Sequence, residues 1–193
     1  MGLKLITAPD EEPVSLAEAR AHCRVPSSDT SEDALLQALI IAAREHCESW
    51  THRRFITQTW DWVMDAFPGW CVELPNAPLQ SITSVSYVDG AGATQTLAGS
   101  GYQVDVKSDP GRLMPAYGAV WPSTRGDTFN AVTIRFVCGY GLAAAVPRSI
   151  KAAMLLTIGH LWENREQTIT GTIIAEIPMG VESLLSMHRL VRF

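Results

Sequence analysis

The sequence predicts an α+β fold, with a mainly helical body of about four helices and an inserted small antiparallel β region. Both ends of the chain carry apolar residues at the 3.6-residue period of amphipathic helices, whereas residues 55–140 alternate in part and are rich in β-branched and aromatic residues. The 193 residues, of which 47% are hydrophobic, suffice for a sizeable core. Because the flanking helices have apolar stripes that need one another, we expect one domain over residues 1–193, with 55–140 as its β-rich insertion.

An extended N-terminal arm leads to a first helix whose start is marked by a capping box. Ser15 and Glu18 are spaced so that each side chain satisfies a backbone N–H at the start of the helix. We expect this helix to end near Cys23, before Pro26. The polar run 27–31 then supplies a loop and the cap of the next helix.

The second helix is expected from about residue 32 to residue 52. Its apolar stripe should face the core and consists of Leu36, Ile40, Ala43, Cys47 and Trp50, widened by Leu35 and Leu39. On the other side, Arg44, Glu45 and Glu48 are expected to face solvent. The basic triplet 52–54 lies at the negative end of the helix dipole, so we interpret it as a helix terminus.

The β region is a series of short strand-like segments separated by Gly and Pro. The segments cover residues 55–65, 71–74, 82–88, 94–97, 102–106, 112–114 and 132–138. Asp89-Gly90 marks a turn between two of them. The spacing indicates antiparallel strands.

The third helix, which begins at Pro147, is apolar on nearly all sides. Its core face consists of Ile150, Met154, Ile158 and Leu161. The opposite side consists of Ala152, Leu155, Gly159 and Trp162. Such a helix must be covered on both sides, so the second cover is either the rest of the same chain or a neighbouring subunit.

A polar, β-branched segment from Glu166 to Met179 follows this helix and precedes a last short helix over 181–190. The segment is either a plain surface loop or a region that orders against a partner. The candidate subunit or partner contacts are therefore Leu155, Gly159, Trp162, Glu166, Thr168, Ile169, Thr170, Gly171, Thr172, Ile173 and Ile174.

Charge and hydropathy exclude several classes of protein. A net charge of -5 and a pI near 5.5 argue against an avid nucleic-acid binder. The longest apolar runs, 34–43 and 152–162, are shorter than the roughly 18 to 20 residues of a membrane span. The N-terminus has neither the apolar core of a signal peptide nor a myristoylation signal, so we expect synthesis in the cytoplasm and no membrane contact.

The four cysteines, Cys23, Cys47, Cys71 and Cys138, form no C-x-x-C pair and are interpreted as free buried thiols. The dipeptides 22–23 and 46–47 are both His-Cys, which in principle offers four zinc ligands. Adjacent helical residues point about 100° apart, however, so we expect no metal and no cofactor.

No catalytic signature is present: the sequence lacks G-x-S-x-G, a P-loop, G-x-G-x-x-G and H-E-x-x-H. The carboxylate pairs Asp61 with Asp65 and Glu163 with Glu166 are interpreted as solvated surface. Four tryptophans of the β region could stack on sugar rings: Trp60, Trp62, Trp70 and Trp121. The sequence therefore favours a protein that is not an enzyme and leaves open a carbohydrate-binding accessory module or a small hydrolase of unrecognised type.

Four segments, in order, carry a resemblance over most of the chain. They are PVSLAEARAHCRV, EDALLQALIIAAREHCESWTHRRFITQTW, LPNAPLQSITSVSYVDG and VPRSIKAAMLLTIGHLWENRE. Together they resemble the head-to-tail connector proteins of tailed bacteriophages, also called adaptor or head completion proteins. This family has no catalytic signature.

The resemblance implies a single connector-like domain that assembles into a homo-oligomeric, dodecamer-like ring under the portal, around the DNA exit channel. It implies a non-enzymatic structural protein of the virion that links capsid to tail after DNA packaging. The implied partners are the portal protein and a tail-side connector or tail completion protein, and DNA passes through the channel without specific binding. The implied location is the head-to-tail interface of the virion, after synthesis in the bacterial host cytoplasm.

Overall fold

The computed structural model describes residues 2–164 and 179–190. Their elements are β1 (Gly2–Thr7), α1 (Leu16–His22), α2 (Asp33–Thr51), β2 (Gln58–Met64), β3 (Val72–Glu73), β4 (Leu79–Val88), β5 (Thr94–Leu97), β6 (Tyr102–Asp105), β7 (Arg112–Pro115), β8 (Val132–Cys138), α3 (Arg148–Glu163) and α4 (Met179–Ser186). The predicted α+β class is confirmed, although helix and strand contents are so close that "mainly helical" overstates the helical share. In the described part of the chain, no helix is both long and apolar enough to cross a membrane.

The chain divides into two compact units. The β unit comprises Met1–Asp10 and Thr57–Tyr140, and the helical unit comprises Glu11–Ile56 and Gly141–Phe193. The segment Gly2–Thr7, predicted as an extended arm, is therefore strand β1 of the β unit. Its six residues did not indicate that it pairs with another strand. The expectation of one domain over residues 1–193 stays a prediction.

The β unit contains two antiparallel sheets. One has the strand order β1-β2-β8-β4-β5 and the other the order β3-β7-β6. In the larger sheet Ile134 of β8 lies opposite Trp62 of β2 and Val85 of β4. Side chains of both sheets form one buried cluster, which consists of Met64, Val72, Leu74, Leu79, Val85, Leu113, Val132, Ile134, Phe136 and Cys138. The predicted strands are confirmed with shifts of a few residues at their ends.

Two local features fix the loops of the β unit. The carboxylate of Asp89 accepts hydrogen bonds from the backbone N–H groups of Ala91 and Ala93, both at 3.0 Å, which forms the predicted turn between β4 and β5. At Gly111 the chain passes so close to Leu79 that an added Cβ would lie 2.4 Å from the Leu79 Cβ. Only glycine fits at this position.

The first turn of α1 has the predicted capping box. The Ser15 hydroxyl oxygen accepts from the Glu18 N–H at 3.2 Å, and the Glu18 carboxylate accepts from the Ser15 N–H at 2.7 Å. The hydrogen bonds that the Glu18 carboxylate accepts from the Ser15 N–H and from the Ser15 hydroxyl lower the pKa of Glu18.

The prediction that Arg44 and Glu48 face solvent is wrong, because both are buried in the helical unit. The Glu48 carboxylate accepts hydrogen bonds from the Phe55 N–H at 2.8 Å, from Arg44 Nη1 at 3.2 Å and from Arg54 Nη1 at 3.3 Å. The chain reverses after α2 at His52, which has a φ of 56°, and lays the next residues over the last turns of the helix. The helical period of α2 gives no information about other segments that pack on it. It therefore did not indicate that Arg54 and Phe55 cover Glu48.

Candidate subunit interface

The inner face of α3 is packed within the helical unit. Ile150, Met154 and Ile158 are fully buried, as predicted, and Leu161 is half-buried. The helix begins at Arg148 rather than Pro147, because Pro147 has the extended ψ of 137° and serves as the cap. The helix α3 as a whole packs against α1, α2 and α4 of the same unit.

The opposite face of α3 is partly covered by its own chain. An added Cβ at Gly159 would lie 3.0 Å from His22 Nε2, so α1 covers this position. Leu155 and Trp162 are half-buried, whereas Leu156 is 38% exposed and was not predicted as a contact. Ala152 is exposed. Of this face, the part around Leu156 is the most accessible apolar surface.

The remaining predicted contacts lie outside the described residues. They are Glu166, Thr168, Ile169, Thr170, Gly171, Thr172, Ile173 and Ile174. They stay predictions.

Three segments meet at one end of the helical unit and bring basic groups together. Leu190 N–H donates to the Thr51 carbonyl at 2.9 Å, and the Ser149 hydroxyl is 2.7 Å from His188 Nε2. The Arg53 guanidinium donates to the His188 carbonyl, and burial together with the Arg53 charge lowers the pKa of His188. The end of α2, the start of α3 and the residues after α4 therefore share one surface, a clustering that sequence reasoning missed because these segments are far apart in the chain.

The guanidinium of Arg189 belongs to this surface as well. It lies over the ring of Trp50, 5.0 Å from the ring centroid, in a cation–π contact. Arg148, the first residue of α3, is exposed beside Ser149. The exposed cations here can attract an anionic partner.

The carboxylates Asp61 and Asp65 of the β unit hold local structure through hydrogen bonds. Their interpretation as solvated surface is wrong for Asp61, whereas Asp65 is exposed. Asp61 is buried and accepts two hydrogen bonds from Arg135 on the neighbouring strand β8, at 2.7 and 2.8 Å. Asp65 accepts the backbone N–H of Asn130 at 2.8 Å. Of the other pair, Glu163 is exposed at the end of α3.

The four tryptophans do not form one exposed platform. Trp60 and Trp62 pack against the buried cluster of the β unit. Trp121 stacks on Phe67 with centroids 4.5 Å apart, and its ring N–H donates to a backbone carbonyl at 2.7 Å. Trp70 is 57% exposed. A sugar-binding surface of all four is therefore absent from the described residues.

The cysteines are free thiols in different surroundings. Cys47 and Cys138 are buried and Cys23 is half-buried, but Cys71 is exposed, so the expectation of four buried thiols is wrong there. Burial raises the pKa of the Cys47 thiol to about 11, and the nearby Thr157 hydroxyl opposes this shift only in part. Within the described residues, no group of three or more His, Cys, Asp or Glu side chains is arranged to hold a metal ion.

No protein-family model matches the chain, and no curated protein matches it. Several solved structures match the chain, however. A chain from the neck of an empty GTA particle, computed with C6 symmetry, has a TM-score of 0.82 and 28% identity, over 100% of this chain and 97% of that chain. The chain is similar to a protein of a GTA particle neck.

Two further structures extend this likeness to the GTA neck. A chain from the virion of the native gene transfer agent (GTA) particle has a TM-score of 0.80 and 28% identity. A chain from the neck of the native particle, computed with C12 symmetry, has a TM-score of 0.76 and 27% identity. Both comparisons cover 100% of this chain and 97% of the other. The predicted resemblance to head-to-tail connectors is thereby confirmed, since the similar chains are virion components from symmetric neck assemblies.

Proposed function

We propose that the protein is a structural head-to-tail connector of a tailed-phage particle. It forms a ring under the portal, around the DNA exit channel, and joins capsid to tail. The observation that carries this proposal is the likeness over the whole chain to neck proteins, with a TM-score of 0.82 and 97% of the similar chain covered. A 12-fold ring is compatible with both C6 and C12 symmetry, which supports the dodecamer-like copy number.

A ring subunit needs two different surfaces that meet head to tail. The exposed apolar side of α3 around Leu156, with Leu155 and Trp162 beside it, is the surface we assign to one of these contacts. Segment 166–179 is assigned to a further contact with a neighbour or with the portal. In this arrangement residues 1–193 act as one connector domain.

The proposed role is structural rather than enzymatic. Asp61 and Asp65 already hold strands and loops together, which supports a framework function for them. The net charge of -5 supports a channel through which DNA slides, because many Lys and Arg contacts would retain it by counterion release. In this proposal DNA passes through the ring without specific binding.

The proposed partners follow from the position in the particle. One face of the ring binds the portal protein, and the other binds a tail-side connector or tail completion protein. The protein is synthesised in the bacterial cytoplasm and joins the head after DNA packaging, which is head completion. Its final location is the head-to-tail interface of the virion.

The proposal is tested by electron microscopy of the purified protein, alone and mixed with its portal. We expect closed rings, or collars on one face of the portal, with rotational symmetry. The matched control is the same mixture with a Leu156→Glu variant, which should reduce both. Protein that stays monomeric and leaves the portal bare would contradict the proposal.

A further inference from the structure

The helical unit carries exposed charges of opposite sign at its two ends. We call the surface around the exposed Arg148 and Arg189, which also contains His52, Arg53 and His188, the basic end. We call the surface around the exposed Asp29 and Glu163, which also contains Glu32, the acidic end. The first lies where α2 ends and α3 begins, and the second where α2 begins and α3 ends.

Two exposed cations of the basic end lie outside the ion pairs of the described residues. Arg148 is exposed, Arg189 is exposed above Trp50, and neither makes an ion pair in the described part of the chain. The nearby Arg54 differs, since it is paired with the buried Glu48. Arg148 and Arg189 thus remain available to an anionic partner.

The acidic end is held together by α1. Arg20 of α1 pairs with Asp33 in the first turn of α2. The charge of Glu163 contributes, after burial, to the raised pKa of the Cys23 thiol, which places Glu163 beside the end of α1. Both Asp29 and Glu163 are exposed and outside any ion pair of the described residues. Arg24, in the loop after α1, is an exposed cation at this end.

The charges at the ends of α3 oppose its own dipole. A helix is stabilised by anions at its N-terminus and cations at its C-terminus, yet α3 begins with Arg148 and ends with Glu163. Helix stability therefore does not explain these two residues.

We propose that the basic end of one subunit binds the acidic end of a second copy of the same chain. This inference rests on the proposed ring, because a cyclic ring of identical subunits joins two different surfaces of each chain. Opposite charges on these two surfaces favour head-to-tail contact and disfavour contact between like ends, which sets the direction of assembly. The occupant of the basic end is thus the acidic end of the neighbour, formed by Asp29 and Glu163.

Two charge reversals separate this contact from folding. Arg148→Glu and Glu163→Lys each place a favourable charge at a terminus of α3, so each variant should fold at least as stably as the wild type. Each should nevertheless weaken self-association about tenfold or more, because the interface then joins like charges. Lys107→Glu, a reversal at an exposed position of the β unit, is the matched control and should not change association.

A mixture of the two variants gives the decisive readout. In each variant alone, the reversed end meets an end of the same charge on the next subunit. In an equimolar mixture, the reversed basic end of Arg148→Glu can bind the reversed acidic end of Glu163→Lys, and the two unchanged ends can bind each other, so every contact joins opposite charges. Analytical ultracentrifugation at low and high salt, with thermal unfolding of every variant, should show salt-sensitive association of the wild type, loss in each variant and recovery in the mixture.

Three results would overturn the inference. They are rings that are insensitive to salt and to both reversals, a mixture that does not recover, and an Arg148→Glu variant that self-associates normally but loses binding to portal or DNA. In the first and third cases the proposed ring stands while the assigned contact fails. A wild type that neither self-associates nor binds the portal would remove the proposed function as well.

Discussion

Glu48 illustrates, at the scale of one residue, what the sequence reveals and what it hides. Its position on α2 follows from the helical period, but its burial depends on Phe55 and Arg54 folding back over the helix. The Ser15 capping box and the Asp89 turn were predictable because their partners are within four residues. Interactions between distant residues leave no such local pattern.

We predict that Glu48→Ala destabilises the protein by about 3–5 kcal/mol. The variant removes the buried carboxylate that pairs with both Arg44 and Arg54 and leaves the Phe55 N–H without its acceptor, whereas Arg44 keeps its ion pair with Glu12. Glu45→Ala, one turn away and exposed, should change the free energy of unfolding by less than about 0.5 kcal/mol. Urea unfolding of both variants measures the difference. Equal effects would mean that the buried carboxylate is not a central support of the helical unit.

The lowered pKa of His188 predicts a loss of stability in acid. Above its ordinary pKa of 6.5 the imidazole is neutral in both the folded and the unfolded chain, so it has no effect on the pH dependence. As pH falls below 6.5 the unfolded chain takes up the proton first, which favours unfolding. The thermal midpoint of His188→Gln should therefore fall less steeply between neutral and mildly acidic pH than the thermal midpoint of the wild type. An unchanged slope in His188→Gln would refute the assignment.

At the scale of elements, α3 shows why its inner face was predictable and its outer face was not. Ile150, Met154 and Ile158 repeat at helical spacing, which identifies a buried face whatever covers it. The outer face is apolar too, but the sequence does not say that α1 covers Gly159 and leaves Leu156 accessible. The cover of such a face is a property of the tertiary fold.

We predict that a charge on the outer face of α3 impairs assembly more than folding. Leu156→Glu should abolish rings while lowering the thermal midpoint less than charged variants at more buried positions of α3, because the exposed part of this side chain is desolvated only when subunits meet. Leu155 and Trp162 are half-buried, so their charged variants should impair both. Ile158→Glu should prevent folding, since Ile158 is fully buried. Soluble, folded Ile158→Glu together with insoluble Leu156→Glu would reverse the assignment of the faces.

At the scale of the whole molecule, the order of helical and β segments along the chain carried the family resemblance. The basic end could not be foreseen in the same way, because Arg53, Arg148 and Arg189 come from three separate segments. The division into two units also depends on β1, since these six residues join a sheet whose other strands begin at residue 58. The composition and the order of helical and β segments therefore predict the class of protein. The residues that share a surface can be identified only from the folded structure.

Assembly should also change hydrogen exchange along the chain. We predict that residues 169–174 become protected when subunits assemble, because this β-branched segment offers backbone groups that a neighbour can pair and apolar side chains that it can bury. Exchange of the buried α3 positions 150–158 in free and assembled protein is the internal control and should be slow in both. Protection of 169–174 that does not change on assembly would make the segment ordinary surface.

The most direct measurement is made on particles produced without this protein. A connector that joins capsid to tail predicts separate heads and tails, counted by electron microscopy of a strain that lacks the gene. Addition of the purified wild-type protein should restore joined particles, and Leu156→Glu should not. Joined, complete particles in the absence of the protein would contradict a connecting role.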